Sequence, residues 1–529
     1  MKIGLYCRQL ISVGGGNRHT LSIAEHLSQQ HDVEIITHTP YGASQTLPQF
    51  GLDLSRIHLR VVPVLPEEKL VALTGEYDLF INRLHNVLMP CRARRGVLLV
   101  LFPMPVQFGP MGRLRRWAAQ WLEWRLIPYR FHDGFFGEEH LGPDRIQLLA
   151  AHAEMHLASA PLTYRVTFRV RNLSATDRLV DVWLDDQHIQ CVVVPGEGRS
   201  SLCQVEVAGR AAGSAHRLHL KIDGASAQER FSLHSLPVDS FPHLAVTDFH
   251  LSHPAYRVYR QLFENWLPHW RDRLLNPVPG DAATRIQSYD DVWSISEFTR
   301  RWTLAYWQRE SKIIYPPVVV DDLPPLPKKK RILSVGRFFV AFHNKKHLVM
   351  IEAFKAMCHQ GLEGWELHLA GEAIDNPIHQ AYLRTVQEAA QRYPIHIHTN
   401  RPREELLRLY GESAIYWHAA GYGEDEAHQP DKFEHFGMTT VEAMAAGCAP
   451  VVIGKGGQPE IVEHGQSGFV WQTLDELQGY TRQLIEDEEL YAAVSAAAQI
   501  RSRHFDLPNF GRQIDAAMDA LPSGPKTGR

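Results

Sequence analysis

The stretch FEHFGMTTVEAMAAGCAPVVIGKGGQPE, residues 433–460, joins a predicted helix to a predicted strand. Small and apolar side chains recur at helical spacing over residues 440–446, and the apolar run 449–453 is typical of a buried parallel strand. A glycine-rich loop follows that strand. Because ligands of open α/β sheets bind at the carboxyl ends of their strands, the stretch predicts an α/β domain with a ligand site here.

Two carboxylates, Glu434 and Glu442, flank the start of the predicted helix. The first N–H groups of a helix lack internal partners and attract phosphate, whereas carboxylates accept hydrogen bonds from sugar or ribose hydroxyls. Taken alone, two glutamates are more often solvated charges. The backbone predicted to hold a phosphate belongs to Phe436, Gly437, Met438 and Thr439.

Basic residues and glycines follow two further predicted strands. Gly336 and Arg337 come directly after the first of these strands, and Lys345 and Lys346 lie later in the same loop. Cations that converge near a helix start stabilise the charge of a diphosphate, although a solvated basic loop is the alternative. Gly371 follows the second strand, where the absence of a side chain lets a nucleotide approach the backbone.

Together these motifs resemble the signature of retaining glycosyltransferases of family 4, the glycosyl transferases group 1, in which seven residues separate two glutamates. The resemblance implies that Glu434 contacts hydroxyls of a donor sugar and that Glu442 contacts the donor ribose. It also places Arg337 and one lysine, Lys345 or its neighbour Lys346, on the donor phosphates. The implied catalytic residues are Glu434, Arg337 and Lys345.

The GT-B fold of that family implies two Rossmann-like α/β domains with a central cleft, and neither a metal nor another cofactor. The implied reaction moves a sugar from a nucleotide sugar of the GDP-mannose or UDP-hexose type, with retention at the anomeric carbon. The implied acceptor is a saccharide or lipid-linked glycan of bacterial-type polysaccharide or cell-envelope glycan synthesis. Two alternatives stay open: a non-catalytic carbohydrate-binding or scaffold protein on this fold, and another GT-B reaction such as phosphorolysis or epimerisation.

Strand and helix patterns alternate at both ends of the chain, whereas the middle alternates polar and apolar residues with a period of two. Tyr164, Val166, Phe168 and Val170 follow this period, which predicts an antiparallel β-sandwich inserted into the N-terminal α/β domain. The predicted boundaries are 1–137 and 247–322 for the split N-terminal Rossmann-like acceptor domain, 138–246 for the insertion, 331–505 for the C-terminal nucleotide-sugar domain, 506–521 for a C-terminal helix and 522–529 for a disordered tail.

Three consecutive glycines near the N-terminus precede a predicted helix. They resemble the glycine-rich loop by which the N-terminal domain of the family approaches the reaction centre, so Gly15 and Gly16 are predicted to approach the donor. Asn17 and His85 are predicted on the acceptor side. Family members often carry a histidine where this chain has Leu101, and this difference removes the usual residue for histidine-assisted chemistry.

Bulk properties exclude several classes of protein. The chain has 529 residues, a formal charge of -4 and 44% hydrophobic residues, which predicts a folded multidomain protein without global attraction to nucleic acid. Its six cysteines lack CxxC spacing, so neither a zinc site of that type nor a disulfide framework is predicted. Without a signal peptide or a long apolar run, the expected location is the cytoplasm.

The segment RLRRWAAQWLEWR, residues 113–125, predicts a helix with three tryptophans on one face and arginines, including Arg113, near its start. Such a helix could lie in a membrane interface and present a lipid-linked acceptor. Packing of the tryptophan stripe inside the protein is the favoured alternative. Peripheral contact at the inner face of the membrane is therefore an expectation to be tested.

Overall fold

The computed structural model describes residues 1–10, 14–39, 47–84, 88–106, 128–141, 144–209, 215–222, 230–232, 243–259, 261, 281–321, 323, 326–340, 344–373 and 377–522. Contacts divide the chain into two compact units. Unit 1 comprises residues 1–99, 104–292 and 521–529, and unit 2 comprises residues 100–103 and 293–520. His85, the segment 113–125 and residues 523–529 of the predicted tail lie outside the described residues.

A parallel α/β sheet forms the N-terminal part of unit 1. Its strands are rich in valine, isoleucine and leucine, and their side chains are almost entirely buried, as is typical of parallel sheets covered by helices. The elements are β1 (Lys2–Tyr6), α1 (Gly15–Ser28), β2 (Asp32–Thr37), β3 (Ile57–Val61), α2 (Glu67–Thr74), β4 (Leu79–Leu84) and β5 (Arg95–Val100). The strand order is β3-β2-β1-β4-β5, and β1 pairs in parallel with both β2 and β4.

An antiparallel sheet makes up the middle of unit 1. Its strands are β6 (Tyr129–Leu141), β7 (Asp144–Leu157), β8 (Tyr164–Asn172), β9 (Arg178–Leu184), β10 (Gln187–Val194), β11 (Ser200–Val207), β12 (His216–Ile222) and β14 (Leu244–Leu251). The order is β10-β9-β12-β7-β14-β8-β11, and β6 pairs with β7. Edge strands β10 and β11 approach each other, since the Ser201 hydroxyl donates a 2.7 Å hydrogen bond to the Val193 carbonyl. The strands thus form one nearly closed sheet.

The period-two residues Tyr164, Val166, Phe168 and Val170 are all buried in the core of this sheet. The sheet extends beyond the predicted insertion, 138–246, at both ends, because β6 begins at Tyr129 and β14 ends at Leu251. A short strand between β12 and β14, β13 (Arg230–Ser232), instead pairs antiparallel with β3 of the α/β sheet. Three residues are too few to show a period, so the sequence pattern cannot mark this strand.

Unit 1 also contains a short 3-10 helix (Leu47–Phe50), α3 (Pro254–Tyr259), α4 (Ala282–Gln287) and the start of β15 (Asp291–Ser294). Residues 293–321 group with unit 2, although the sequence pattern assigns them to the N-terminal domain. The physical reason is the position of α5 (Glu297–Trp307), whose first residue contacts Glu460 of unit 2. The Glu460 carboxylate accepts hydrogen bonds from the N–H groups of Glu297 and Phe298 at 2.7 and 3.1 Å.

Unit 2 is built on a six-stranded parallel sheet. The carboxyl ends of its central strands lead into the loops that carry the predicted donor site. Its elements after α5 are β16 (Lys312–Ile313), β17 (Lys329–Val335), α6 (His347–His359), β18 (Glu366–Gly371), α7 (Pro377–Ala390), β19 (Ile395–Thr399), α8 (Arg403–Glu412), β20 (Ser413–His418), α9 (Met438–Ala445), β21 (Ala449–Ile453), α10 (Gln458–Ile461), β22 (Phe469–Trp471), α11 (Leu474–Glu486), α12 (Glu488–Ser502) and α13 (Leu507–Asp519). The strand order of the sheet is β19-β18-β17-β20-β21-β22.

Among the described residues, every helix is too short or too polar to cross a bilayer. The helix predicted at residues 506–521 is present as α13. It begins with the Asp506 carboxylate accepting the Asn509 N–H, a side-chain cap of the kind that satisfies a helix start.

Candidate active site

Lys345 and His418 of unit 2 both approach the same carboxylate oxygen of Glu434. Glu434 lies between β20 and α9, and its Oε2 atom accepts a hydrogen bond from the Lys345 ammonium. His418, the last residue of β20, places Nε2 at 3.3 Å from the same oxygen. The Lys345 and Glu434 side chains are 16% and 18% exposed, so this ion pair is largely shielded from water.

His418 is the buried member of this cluster. Desolvation by burial lowers its pKa, and the hydrogen bond to Glu434 acts in the opposite direction. Its other ring nitrogen, Nδ1, has no hydrogen-bond partner among the described residues. His418 is therefore expected to hold Glu434 in place as a neutral imidazole rather than as a cation.

Gly336 and Gly371 lie at adjacent strand ends beside Lys345. The Gly336 N–H donates to the Ala370 carbonyl at 2.8 Å, and the aliphatic part of Lys345 lies over the Gly336 backbone. A Cβ atom on Gly371 would lie 2.0 Å from the Gly336 carbonyl oxygen. Packing against backbone thus requires a glycine at position 371, whereas a side chain at position 336 would displace Lys345.

Arg337 follows Gly336 and is exposed. Its guanidinium carbon lies 5.2 Å from the centroid of the Phe339 ring, a cation–π distance. Among the described contacts, Arg337 meets Phe339 rather than Glu434. The structure therefore brings Lys345 and Glu434 together but does not join Arg337 to them by a direct contact.

Lys346 points away from Lys345. Its backbone has a positive φ of 58°, a left-handed conformation directly before α6, and its ammonium lies 2.6 Å from Glu424. Lys432 lies 2.8 Å from the other oxygen of Glu424. Hydrogen bonds from the two lysines lower the pKa of the Glu424 carboxyl. Of the two candidate lysines, Lys345 is the one paired with Glu434.

The start of α9 is a glycine turn braced by a buried glutamine. Gly437 has a φ of +122°, and a Cβ atom there would lie 2.1 Å from Gln458 Nε2. Gln458 donates to the Phe436 carbonyl at 3.1 Å and accepts from the Thr440 hydroxyl at 2.8 Å. Met438 is the first residue of α9. The turn that precedes the predicted phosphate-binding amides is thus fixed by packing.

Glu442, in the middle of α9, has protein partners for both of its oxygens. Arg403 donates to Oε1 at 2.9 Å and the Tyr410 hydroxyl donates to Oε2 at 2.8 Å. Thr439, one turn earlier, accepts from the Tyr416 hydroxyl at 2.8 Å. Burial raises the pKa of Tyr416, and the charges of Glu434 and Glu442 both add to this effect. One buried phenol therefore lies within electrostatic reach of both glutamates.

Residues 321–501 match the family model Glycosyl transferases group 1. This group 1 region contains the cluster around Glu434, the turn at Gly437 and the Glu442 contacts. The GDP-Man:Man(3)GlcNAc(2)-PP-Dol alpha-1,2-mannosyltransferase of Dictyostelium discoideum is 30% identical over 167 residues. That match covers 26% of this chain and spans only 33% of the length of the Dictyostelium protein.

Solved structures of HepE from Anabaena resemble the whole chain. The complex with UDP-glucose has a TM-score of 0.51 at 15% identity, and the complex with UDP has a TM-score of 0.53 at 14% identity. In both comparisons the alignment covers 98% of this chain and 100% of HepE. At this identity the likeness concerns the fold, and with the group 1 region and the parallel sheets it supports an α/β fold of GT-B type.

The residues of unit 1 predicted on the donor side, Gly15 and Gly16, and on the acceptor side, Asn17 and His85, have the following settings. Gly15 and Gly16 form the first turn of α1 rather than a loop before it, and Gly14 is the residue that precedes the helix. Asn17 is buried, and its side-chain oxygen accepts a hydrogen bond from Arg83. His85 lies outside the described residues. The acceptor assignments of Asn17 and His85 stay predictions.

Sequence reasoning missed three residues that shape this site: Arg403, Tyr410 and Gln458. Arg403 and Tyr410 lie on α8 and reach Glu442 on the neighbouring helix α9, and Gln458 follows β21. No motif distinguishes them, because their role depends on which helices pack against α9. Only the position of Gln458, just after a strand and a glycine loop, gave a usable signal.

Proposed function

We propose that this chain is a retaining glycosyltransferase that moves a sugar from a nucleotide-sugar donor to a saccharide or lipid-linked glycan acceptor. The observation that carries the proposal is the Lys345–Glu434–His418 cluster within a group 1 region, at the carboxyl ends of parallel strands. The Dictyostelium relative is named for GDP-mannose, and HepE was solved with UDP-glucose. A donor of the GDP-mannose or UDP-hexose type is therefore the proposed substrate.

Each residue of the cluster has a proposed role in that reaction. Lys345 and Arg337 hold the donor diphosphate, with the first amides of α9, and Glu434 orients the sugar hydroxyls. The bond between the anomeric carbon and the phosphate oxygen breaks, and a bond to the acceptor oxygen forms on the same face. The acceptor proton passes to an oxygen of the departing diphosphate. Cations and helix amides supply the charge stabilisation, so no metal is proposed in this step.

The Lys345–Glu434 ion pair supports this assignment because it can exchange partners. A largely shielded ammonium that is held by a single carboxylate is positioned to turn to a diphosphate when one binds. Glu434 is then released to accept hydrogen bonds from the donor sugar. The ion pair keeps both charges compensated in the protein without donor.

Glu442 is proposed to accept hydrogen bonds from the donor ribose. Its oxygens already accept from Arg403 and the Tyr410 hydroxyl, so the carboxylate is fixed in direction before the donor binds. A carboxylate oxygen can accept more than one hydrogen bond, which leaves capacity for a ribose hydroxyl. Arg403 is 48% exposed and can move to admit a ligand.

The proposed setting is glycan synthesis for a polysaccharide or cell envelope, on the cytoplasmic side of a membrane. The nearly closed antiparallel sheet is proposed to be an inserted β-sandwich-like domain within the N-terminal Rossmann-like domain. Its buried core of alternating residues supports an independent packing unit within the fold.

The test is a nucleotide-release assay on the purified full chain with UDP-glucose and GDP-mannose, each with and without candidate saccharide acceptors. Acceptor-dependent release of UDP or GDP is expected, with the product keeping the donor's anomeric configuration by NMR. Lys345→Met should abolish most of this release, whereas the matched control Lys355→Met, on α6 and ion-paired with Glu352, should keep it. Donor binding without turnover would favour the scaffold alternative instead.

A further inference from the structure

A pocket of about 440 Å³ lies on the antiparallel sheet of unit 1, on the face opposite the core. Its lining contains four carboxylates, from Asp133, Glu154, Asp185 and Asp186, and one lysine, Lys221. This excess of acids favours a cationic occupant over an anionic one. The donor chemistry of unit 2 makes no use of this pocket.

The pocket is crossed by a row of residues that face one another on neighbouring strands. Trp183 of β9 stands opposite His219 of β12, and His219 stands opposite Glu154 of β7. Asp133 of β6 stands opposite Glu154 on the other side. Glu154 is thus the centre of a row that extends over four strands.

Two histidines and Glu154 form a cluster at the edge of this pocket. His132, Glu154 and His156 each offer one ligand atom, and these atoms all lie within 4.8 Å of one another. The Oε1 atom of Glu154 is 2.7 Å from His156 Nε2, and the rings of His132 and His156 are stacked with centroids 4.2 Å apart. The second oxygen of Glu154 lies 3.5 Å from Nδ1 of His219.

The backbone of β6 directs His132 into this cluster. The pairing of β6 with β7 shifts register between Phe131 and Asp133, so that Asp133 stands opposite Glu154 and His132 is the extra residue of a bulge. Such a bulge re-aims side chains and recurs next to functional sites. Glu154 and His156, two residues apart on β7, share a face by the ordinary alternation of a strand.

We propose that His132, Glu154 and His156 bind a divalent transition-metal ion of the zinc class at the edge of this pocket. Two imidazoles and one carboxylate form a ligand set found in zinc sites whose fourth coordination position stays open. Ligands at about 2.1 Å around a tetrahedral ion are about 3.4 Å apart, so side-chain rotations from the present separations suffice. His219, with Nδ1 at 3.5 Å from the second oxygen of Glu154, is the neighbouring group that would orient the ligating carboxylate.

A second histidine cluster, in unit 2, is less suited to a metal. His368 is held at both ring nitrogens, by Glu366 at 2.9 Å and by His398 at 3.0 Å. The Arg331 guanidinium lies 3.8 Å from the same carboxylate of Glu366 and opposes a cation there. His396, the third member, therefore provides the matched control.

The test uses the full chain, freed of metal with EDTA and titrated with ZnCl2 by isothermal calorimetry. One saturable site is expected, and Co²⁺ in its place should give the visible absorption of a tetrahedral or five-coordinate ion. Glu154→Gln and His132→Ala should each weaken zinc binding at least about tenfold, since loss of a ligand costs no less than loss of an outer partner. His396→Ala should leave the affinity unchanged.

Circular dichroism checks that each variant is folded, and His132→Ala removes an exposed side chain, so folding should survive. Absence of saturable zinc binding to the native chain overturns the proposal. Unchanged affinity in both ligand variants overturns it as well, and so does loss of binding in His396→Ala. None of these outcomes depends on the transferase activity.

Discussion

Gly336→Ala should separate activity from stability in this protein. A Cβ atom at this position would lie 2.4 Å from Cγ of Lys345 and 2.8 Å from its Cδ and Cε atoms. The Lys345 side chain is flexible and can move aside, so the cost in folding free energy is limited to the loss of its ion pair with Glu434, about 1 kcal/mol. The moved ammonium no longer reaches the donor phosphates, which should lower kcat/KM about 100-fold.

Gly371→Ala is the matched variant, because there the added Cβ meets backbone. It would lie 2.0 Å from the Gly336 carbonyl oxygen and 2.6 Å from the carbonyl carbon. Since two sheet strands must separate to relieve this overlap, the expected loss of stability is about 3 kcal/mol or more. Gly336→Ala should therefore lose mainly activity, whereas Gly371→Ala should lose mainly stability.

Unfolding midpoints in urea, followed by tryptophan fluorescence, and initial rates of nucleotide release measure the two effects. Midpoints are compared rather than free energies, because a chain of two units need not unfold in one step. An active Gly336→Ala protein, within twofold of the native rate, would refute the role assigned to Lys345. A Gly371→Ala protein with the native midpoint would refute the close approach of β17 and β18.

Three further predictions concern single side chains. Lys345→Met should lower kcat/KM by at least about 2 kcal/mol, or about 30-fold, measured by nucleotide release, and an unchanged rate would remove this lysine from the site. Burial lowers the pKa of His347 to about 3, so the folded state takes up fewer protons than the unfolded state below pH 6.5, and stability falls as the pH drops towards 3. His347→Phe should therefore flatten the dependence of the unfolding midpoint on pH between 6.5 and 4, and an equally steep dependence would contradict the buried neutral imidazole. Glu460→Ala should cost about 1–2 kcal/mol because the first N–H groups of α5, from Glu297 and Phe298, lose their acceptor, whereas Glu460→Gln keeps an acceptor and should retain most of the stability.

The parallel sheets could be predicted from the sequence because buried strands appear in it as continuous runs of apolar residues. The helix predicted over residues 440–446 is α9, and the strand predicted at 449–453 is β21 with the same bounds. The contact between Lys345 and Glu434 follows from the same logic, since these residues lie in the segments that follow the carboxyl ends of the neighbouring strands β17 and β20. Loops that follow neighbouring strands of the sheet thus lie close together, even when they are far apart in the sequence.

Other features depend on packing that no local pattern records. Glu442 is held by Arg403 and Tyr410 only because α8 lies beside α9. The glycines at positions 15 and 16 begin α1, and neither has a positive φ. The side chains of Lys345 and Lys346 point in different directions because the backbone of Lys346, unlike that of Lys345, has a positive φ.

The small strand β13 has a consequence for anyone who redesigns this chain. Excising residues 138–246 as a cassette would also delete Arg230–Ser232, the antiparallel neighbour of β3. The backbone amides and carbonyls along β3 would then face solvent as a fresh edge, which invites strand-to-strand self-association. A chimera that exchanges the antiparallel sheet with another protein should therefore graft an edge strand for β3 as well.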